Sequence, residues 1–192
     1  SVKAYALIYQ VLTYSEGQVF APNAELINTV NDILTKHTLT KLRPLYYAIV
    51  ADYYQSVSAY DIALSYYEKS LDGAKVENQR ILVSDNLYAI GILYRNLGNY
   101  SKAIDYFERA IEFDSQIDIN YSEFLATYGI ATTYYRSGNL QKALTLSDIV
   151  LAHPLSSSFY NSEIYRLKAE AHLSLGELDK ATNALNKARV LY

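Results

Sequence analysis

The sequence predicts an all-α fold, a solenoid of short antiparallel helix pairs. Three observations predict it. Seven glycines and three prolines are few for 192 residues, and apolar residues are spread evenly, so helices joined by short turns fit better than a turn-rich β protein. The segment NLGNYSKAIDYFERAIEF (96–113) recurs as RSGNLQKALTLSDIVL (136–151) and SLGELDKATNALNKARVL (174–191), and upstream as SVSAYDIALSYYEKSL (56–71). Its marker positions Ser58, Gly98, Gly138 and Gly176 stand 40, 40 and 38 residues apart, a period that signals stacked helix pairs. Each pair is too small to bury its own apolar face, so neighbours must stack.

The elements follow in order. Residues 1–37 read as a degenerate first pair: SVKAYALIYQVL keeps helical period through Val2, Ala6, Tyr9 and Val11 to Leu12, SEGQVFAP lengthens the turn, and INTVNDIL supplies the second helix without a marker alanine. Four clearer pairs cover about 44–72, 84–113, 124–152 and 162–192. At each turn a glycine, or Ser58, takes up a positive φ after the first helix. Tyr60, Tyr100, Leu140 and Leu178 then start the second helix. Ala63, Ala103, Ala143 and Ala181 let it lie close against the first, and Tyr67, Phe107, Ser147 and Leu185, four residues on, fill the gap behind. Upstream, Ala51, Gly91, Ala131 and Ala169 are the small residues of the first helices, followed after three residues by the wedges Tyr54, Tyr94, Tyr134 and His172.

Along these positions the chain resembles the tetratricopeptide repeat (TPR) family. The third repeat carries the resemblance best, with Leu87, Ile90 to Gly91, Tyr94, Gly98, Tyr100, Ala103, Phe107 and Ala110 all in register. The fourth departs at Thr127, Ser147 and Val150, the fifth at Lys168 and His172. A TPR period is about 34 residues, here about 40. The surplus lies in 73–85, 114–124 and 153–163 and reads as helical, so each first helix should be about five turns long. Elongated repeats of this kind resemble peptide-sensing bacterial regulators of the Rap/PlcR type and sensory regions attached to bacterial histidine kinases and diguanylate cyclases.

The resemblance implies one domain over 1–192, a right-handed superhelix of about ten helices whose first helices line a concave groove for a protein or an extended peptide. The family's groove positions fall on Asp52 and Gln55, Tyr88 and Arg95, Tyr128, Thr132, Tyr135 and Arg136, and Arg166 and Glu170. A tyrosine joins a large contact area to a hydrogen-bonding tip, although tyrosines on a long helix also serve as packing filler. Arg95, Arg136 and Arg166 either clamp a carboxylate or form a solvated face. The clamp used by TPR co-chaperones for acidic chaperone tails is missing: its positions hold Ala48, Asp52, Ala89, Leu125 and Gly129. The implied role is a binding scaffold or sensory module of a larger signalling protein. The alternatives are a peptide-pheromone regulator of the Rap/PlcR type and a dimerisation platform working through an uncapped end.

Composition narrows the rest. A net charge of -3 and pI near 5.6, with no run of Lys or Arg, disfavour nucleic acid. No cysteine is present, which removes disulfides and thiolate sites and leaves the compartment open, leaning to the cytoplasm over the periplasm. Apolar runs such as YAIGILY (88–94) are far shorter than the roughly 20 residues of a membrane span. His37, His153 and His172 are scattered and show no metal-ligand spacing. Glu163, Arg166 and Glu170 share a helical face in ordinary charge-pair spacing. No nucleophile, base and oxyanion set can be assembled, so neither catalysis nor a cofactor is expected. The opening in helical period and the apolar close at ATNALNKARVLY, without a polar closing helix, point to a domain excised from a longer protein; trimmed tails are the other reading.

Overall fold

The structure, a computed structural model, describes residues 24–36, 39–115 and 120–191. The expected helix over 1–12, the SEGQVFAP turn and His37 lie outside the described residues. Among the described residues the chain is all-α, without strands. Its helices are α1 (Ala24–Lys36), a 3-10 turn (Thr40–Leu42), α2 (Arg43–Ser56), α3 (Tyr60–Val76), α4 (Arg80–Asn96), α5 (Tyr100–Ser115), α6 (Asn120–Arg136), α7 (Leu140–Ala152), α8 (Ser158–Ser174) and α9 (Leu178–Val190). The first helices α4, α6 and α8 have 17 residues each, close to five turns, while α2 is shorter than expected at 14 residues, about four turns. The surplus is also shared by the second helices, since α3 has 17 residues and α5 has 16.

The turns work as the spacing predicts. Gly98, Gly138 and Gly176 have φ of 76°, 81° and 75°, and Ser58 takes the same place at 61°. In each turn the next residue donates back to the wedge residue's carbonyl, as in Asn99 N–H to Tyr94 O (2.8 Å) and Ala59 N–H to Tyr54 O (2.8 Å). The left-handed residue bonds to the next carbonyl along, as in Gly98 N–H to Arg95 O (3.1 Å). This bond pair closes a helix C-terminus and satisfies two of its orphan carbonyls. The carbonyls of Ala59 and Asn99 then accept the first bonds of the following helices, from Ala63 and Ala103. One residue therefore ends one helix and begins the next. Asn78, at φ 55°, makes the same turn between α3 and α4, a use of Asn that the glycine spacing did not single out.

By its internal contacts the chain forms two compact units, 1–93 and 94–192. In the first unit, Val30 and Leu34 of α1 pack with Tyr46, Ile49 and Val50 of α2. Pro44 in the first turn of α2 is tolerated where its missing N–H has no intrahelical partner, and a Cβ on Gly73 would come 2.9 Å from its ring. Beside it runs a buried polar chain: Asn86 Nδ2 donates to Ser70 Oγ (2.8 Å), and Ser70 Oγ donates to the Pro44 carbonyl (2.7 Å). This ties α2, α3 and α4 together without leaving a buried polar group unpaired.

In the second unit the ring of Phe107, wholly buried, lies where a Cβ on Gly129 would be 2.8 Å away. The missing side chain lets α6 close over α5. Phe124, Val150 and Ile164 form the next layer. The repeat's departures are absorbed locally: Ser147, fully buried, returns its hydroxyl to Ala143 O (2.7 Å), Val150 is 1% exposed, and Lys168 pairs with Asp148. The marker alanines Ala63, Ala103 and Ala143 are fully buried and Ala181 nearly so. One filler departs from expectation. Leu185 is 57% exposed, whereas Tyr67, Phe107 and Ser147 are at most 2% exposed, because among the described residues no helix covers that face of α9.

Two of the wedge tyrosines pair across their helix hairpins. Tyr54 stacks on Tyr66 (5.8 Å between ring centres, 8° between planes) and Tyr94 on Tyr106 (5.4 Å, 26°). Cations sit over these rings: Lys69 over Tyr66, Lys102 over Tyr94, Arg109 over Tyr106 and Lys142 over Tyr134, at 4.5–5.0 Å. Such contacts are favourable even when exposed. His172 stands where the tyrosine is replaced, and its Nδ1 is 2.6 Å from Glu177 Oε2 across the turn.

Candidate functional site

In the first unit, Asp52 and Gln55 of α2 meet around one hydroxyl. Tyr67 of α3 donates its phenol proton to Asp52 Oδ1, and Gln55 Oε1 stands 3.3 Å from the same oxygen. One proton cannot serve both acceptors fully, and a turned Gln55 amide would donate its NH2 to the phenol instead. Asp52 keeps part of its surface open to water, yet desolvation by the side chains around it holds its carboxyl above the usual range, with the Tyr67 bond opposing. The Tyr67 hydroxyl is pushed up by burial and by the neighbouring carboxylate. Tyr88 lies half-buried on α4. Next to this group, Tyr47 and Tyr54 both contact Tyr66 (6.0 and 5.8 Å) and Tyr46 leans on Tyr47 (5.9 Å), so much of the tyrosine content of α2 is packing.

The second unit gathers the other predicted residues on the face shared by the end of α4, by α6 and by α8. Tyr128, Thr132, Tyr135 and Arg136 lie on one side of α6 because their spacing matches the helical period. Each is engaged by a residue about one repeat away. Arg95 Nη1 donates to Thr132 Oγ1 (2.6 Å), which in turn donates to Gly129 O (2.9 Å). Arg136 Nη1 donates to Asn96 Oδ1 (3.2 Å). Tyr135 donates to Glu170 Oε2 (2.7 Å) across to α8. Arg166 donates to Glu170 Oε1 (2.7 Å) and to Glu163 Oε2 (2.8 Å), which raises its already high pKa.

Tyr128 is the centre of this arrangement. Its ring meets Tyr160 edge-on (5.4 Å), and Tyr160 in turn meets Phe124 (5.0 Å) and the exposed Phe159 (5.4 Å). Its phenol is held above the usual range first by desolvation and then by Glu163, while Arg95, Arg166 and Arg136 pull the other way. The three arginines make separate contacts: Arg95 meets Thr132, Arg136 meets Asn96, and Arg166 meets Glu163 and Glu170. They differ in availability, since Arg166 already serves two carboxylates. Asn96, Tyr160, Glu163 and Tyr67 were not among the predicted positions. Asn96 could have been found, because it sits beside Arg95; Glu163 reads from the sequence only as an ordinary charge pair of Arg166; Tyr67 reads from the sequence as core and is core, its hydroxyl turned to Asp52.

An open depression at the α6–α7 turn, lined by Ser137, Gly138, Gln141 and Leu175 among others, includes none of the predicted residues. Among the described residues no group of three or more His, Asp or Glu could hold a metal ion. None of the helices described is long and apolar enough to cross a membrane.

Comparison with known proteins gives the following. Residues 44–116 match one family profile described as Tetratricopeptide repeat, and residues 88–152 and 128–192 match a second of the same description. Among solved structures, the kinesin light chain TPR-like repeats of Podosopora anserina are 18% identical, with a TM-score of 0.74 over 98% of this chain and 94% of that one. Aspartyl phosphate phosphatase F from Bacillus subtilis is 19% identical, with a TM-score of 0.75 over 98% of this chain and 59% of that one. YrrB, described as a TPR protein with an unusual peptide-binding site, is 16% identical, with a TM-score of 0.56 over 93% of this chain and 90% of that one. At these identities the likeness is one of fold.

Proposed function

Because the chain belongs to the tetratricopeptide repeat family, we propose that it is a protein-interaction module that holds an extended segment of a partner on the face shared by α6 and α8. The observation that carries this reading is the setting of Tyr128: a half-buried ring edge-on to Tyr160 in an aromatic row, on the helix face that also carries Thr132, Tyr135 and Arg136. A ring with a polar tip beside fixed charges offers both contact area and orientation to a ligand at little entropic cost. A peptide-binding site in a protein of the same fold is in keeping with it. Asp52, Gln55 and Tyr88 are candidate positions of the first unit taken by itself. The role is binding rather than catalysis, within the sensory or scaffolding part of a larger signalling protein.

The test is a peptide array probed with the intact chain and with Tyr128→Ala and Tyr135→Phe. A set of captured peptides that Tyr128→Ala releases, while its melting temperature stays near that of the parent, supports the role. Capture indifferent to both substitutions removes this face from it.

A second reading is favoured by the likeness to aspartyl phosphate phosphatase F, of which the matched part is 59%. In it the repeats sense a short signalling peptide and pass occupancy to an attached domain through small shifts at each helix interface. Peptide-dependent change in an activity carried by the full-length protein supports it; peptide binding without such a change leaves only the scaffold.

A further inference from the structure

One stripe of α9 is bare where each of α3, α5 and α7 has it covered. On α5 the stripe runs through Tyr100, Ile104, Phe107 and Ile111, at the four, three, four spacing that keeps side chains on one helical face. None of these is exposed, and the Phe107 ring lies against Gly129 of α6. The same positions of α9 hold Leu178, Thr182, Leu185 and Arg189, all exposed, the leucines at 64% and 57%. Two of them also change in kind. Where α9 has Thr182, the covered stripes have Leu64, Ile104 and Leu144, and where it has Arg189 they have Leu71, Ile111 and Leu151. A stacked helix of the sort that covers α5 would therefore bury a hydroxyl and a guanidinium, which is costly unless it supplies their partners.

The charges of α9 indicate what supplies them. Lys187 lies over the Tyr165 ring (5.4 Å) and Lys180 pairs with Glu177 (2.9 Å). Asp179 in the first turn and Arg189 in the last make no ion pair among the described residues. Turned end for end, the stripe complements itself. Leu185 meets Thr182 of a second copy, Arg189 lays its aliphatic stem along Leu178 of that copy, and the guanidinium reaches the neighbouring Asp179. Parallel pairing would instead set each charge against its like, which is penalised. We infer that α9 is a self-association surface, on which two copies of this chain pair through antiparallel α9 helices closed by reciprocal Arg189–Asp179 ion pairs. The contact is isologous, so it stops at two copies. Being one helix wide, it lies below the roughly 1,200 Å² of a stable interface and forms reversibly with concentration.

The test is sedimentation velocity of the whole 192-residue chain from low micromolar to near-millimolar concentration. The average mass is expected to rise from one chain toward two. Asp179→Arg alone and Arg189→Asp alone each set like charges together and are expected to weaken association about tenfold or more. Their equimolar mixture is expected to regain it, since each charge then meets its opposite. Leu185→Lys, at a position exposed in the single chain, is expected to abolish association, with thermal melting confirming that each variant keeps the fold. A mass that stays at one chain, growth beyond two copies, association unchanged in Arg189→Asp and Leu185→Lys, or a mixture no better than its parts overturns the inference. None of these outcomes bears on the α6–α8 face, which the peptide array tests by itself.

Discussion

Tyr67 donates its phenol proton to Asp52 from the opposite helix of the same hairpin, and the carboxyl that receives it is harder to ionise than an ordinary one. A raised folded-state value means that the native protein keeps this proton over a pH range in which the unfolded chain has lost it. Stability therefore falls as pH rises from the ordinary aspartate value of about 4 through the raised value, and stays lower above it. Asp52→Asn keeps an acceptor for Tyr67 and removes the charge. The variant should melt higher than the parent at pH 7, with the gap closing as pH is lowered toward 4. A variant that melts lower by a constant amount at both pH values would show that the bond, not the charge, governs.

Two glycines should resist replacement for different reasons. Gly138 has φ of 81° with nothing within 4 Å of a built Cβ, so Gly138→Ala loses about 1 kcal/mol through backbone strain alone. Gly129 is helical, and its Cβ would meet the Phe107 ring at 2.8 Å. Gly129→Ala should cost ~1–3 kcal/mol through overpacking. Combining it with Phe107→Leu should recover part of that loss, whereas Gly138→Ala should gain nothing from the same partner. Denaturant melts of the single and double variants separate the cases.

Ser58 performs the glycine's task at φ 61° with a side chain attached. Ser58→Gly should stabilise the chain by roughly 0.5–1 kcal/mol, after the larger backbone entropy of glycine is deducted from the relief of strain. No change, or a loss, would mean that the serine makes up for its strain in another way.

The chain from Asn86 through Ser70 to the Pro44 carbonyl is buried at every step. Ser70→Ala leaves a buried amide and a buried carbonyl without their partner and should cost ~1–3 kcal/mol. Asn86→Leu together with Ser70→Ala should cost less than the two single changes summed. Strict additivity in that double-mutant cycle would deny the network its cooperativity.

Equivalent repeat positions should not be energetically equivalent. Phe107→Ala removes a fully buried ring and should cost ~3–5 kcal/mol, while Leu185→Ala, at 57% exposure, should cost under about 1 kcal/mol. A large loss at Leu185 would reveal a covering surface in solution.

Much of the architecture was legible because it depends on constraints that act locally and repeat. A positive φ admits few residues, so Gly98, Gly138 and Gly176 mark the turns wherever the chain is read. A close helix crossing admits only a small side chain, so Ala63, Ala103 and Ala143 announce the pairs. Asn78 escaped because asparagine enters the left-handed region without being restricted to it, and Leu185 escaped because its sequence context is that of a buried filler. The candidate face was legible only as a set of positions. Helical spacing places Tyr128, Thr132, Tyr135 and Arg136 on one side of α6 and Arg166 with Glu170 on one side of α8, since side-chain direction within a helix follows from the backbone.

Which of these groups pair was settled between segments some 35–40 residues apart in the chain, as with Arg95 and Thr132, Arg136 and Asn96, and Tyr135 and Glu170. Arginine and glutamate have several torsions of similar energy, so their partners are chosen by whatever a neighbouring repeat brings within reach. That choice left Arg136 facing an amide, whereas Arg166 is held by Glu163 and Glu170 of its own helix, a pairing their spacing already announced. The repeat pattern is thus a property of backbone conformation and side-chain size, carried by each segment alone. The charge balance of the face belongs to long flexible side chains, and takes form only once the helices are packed together.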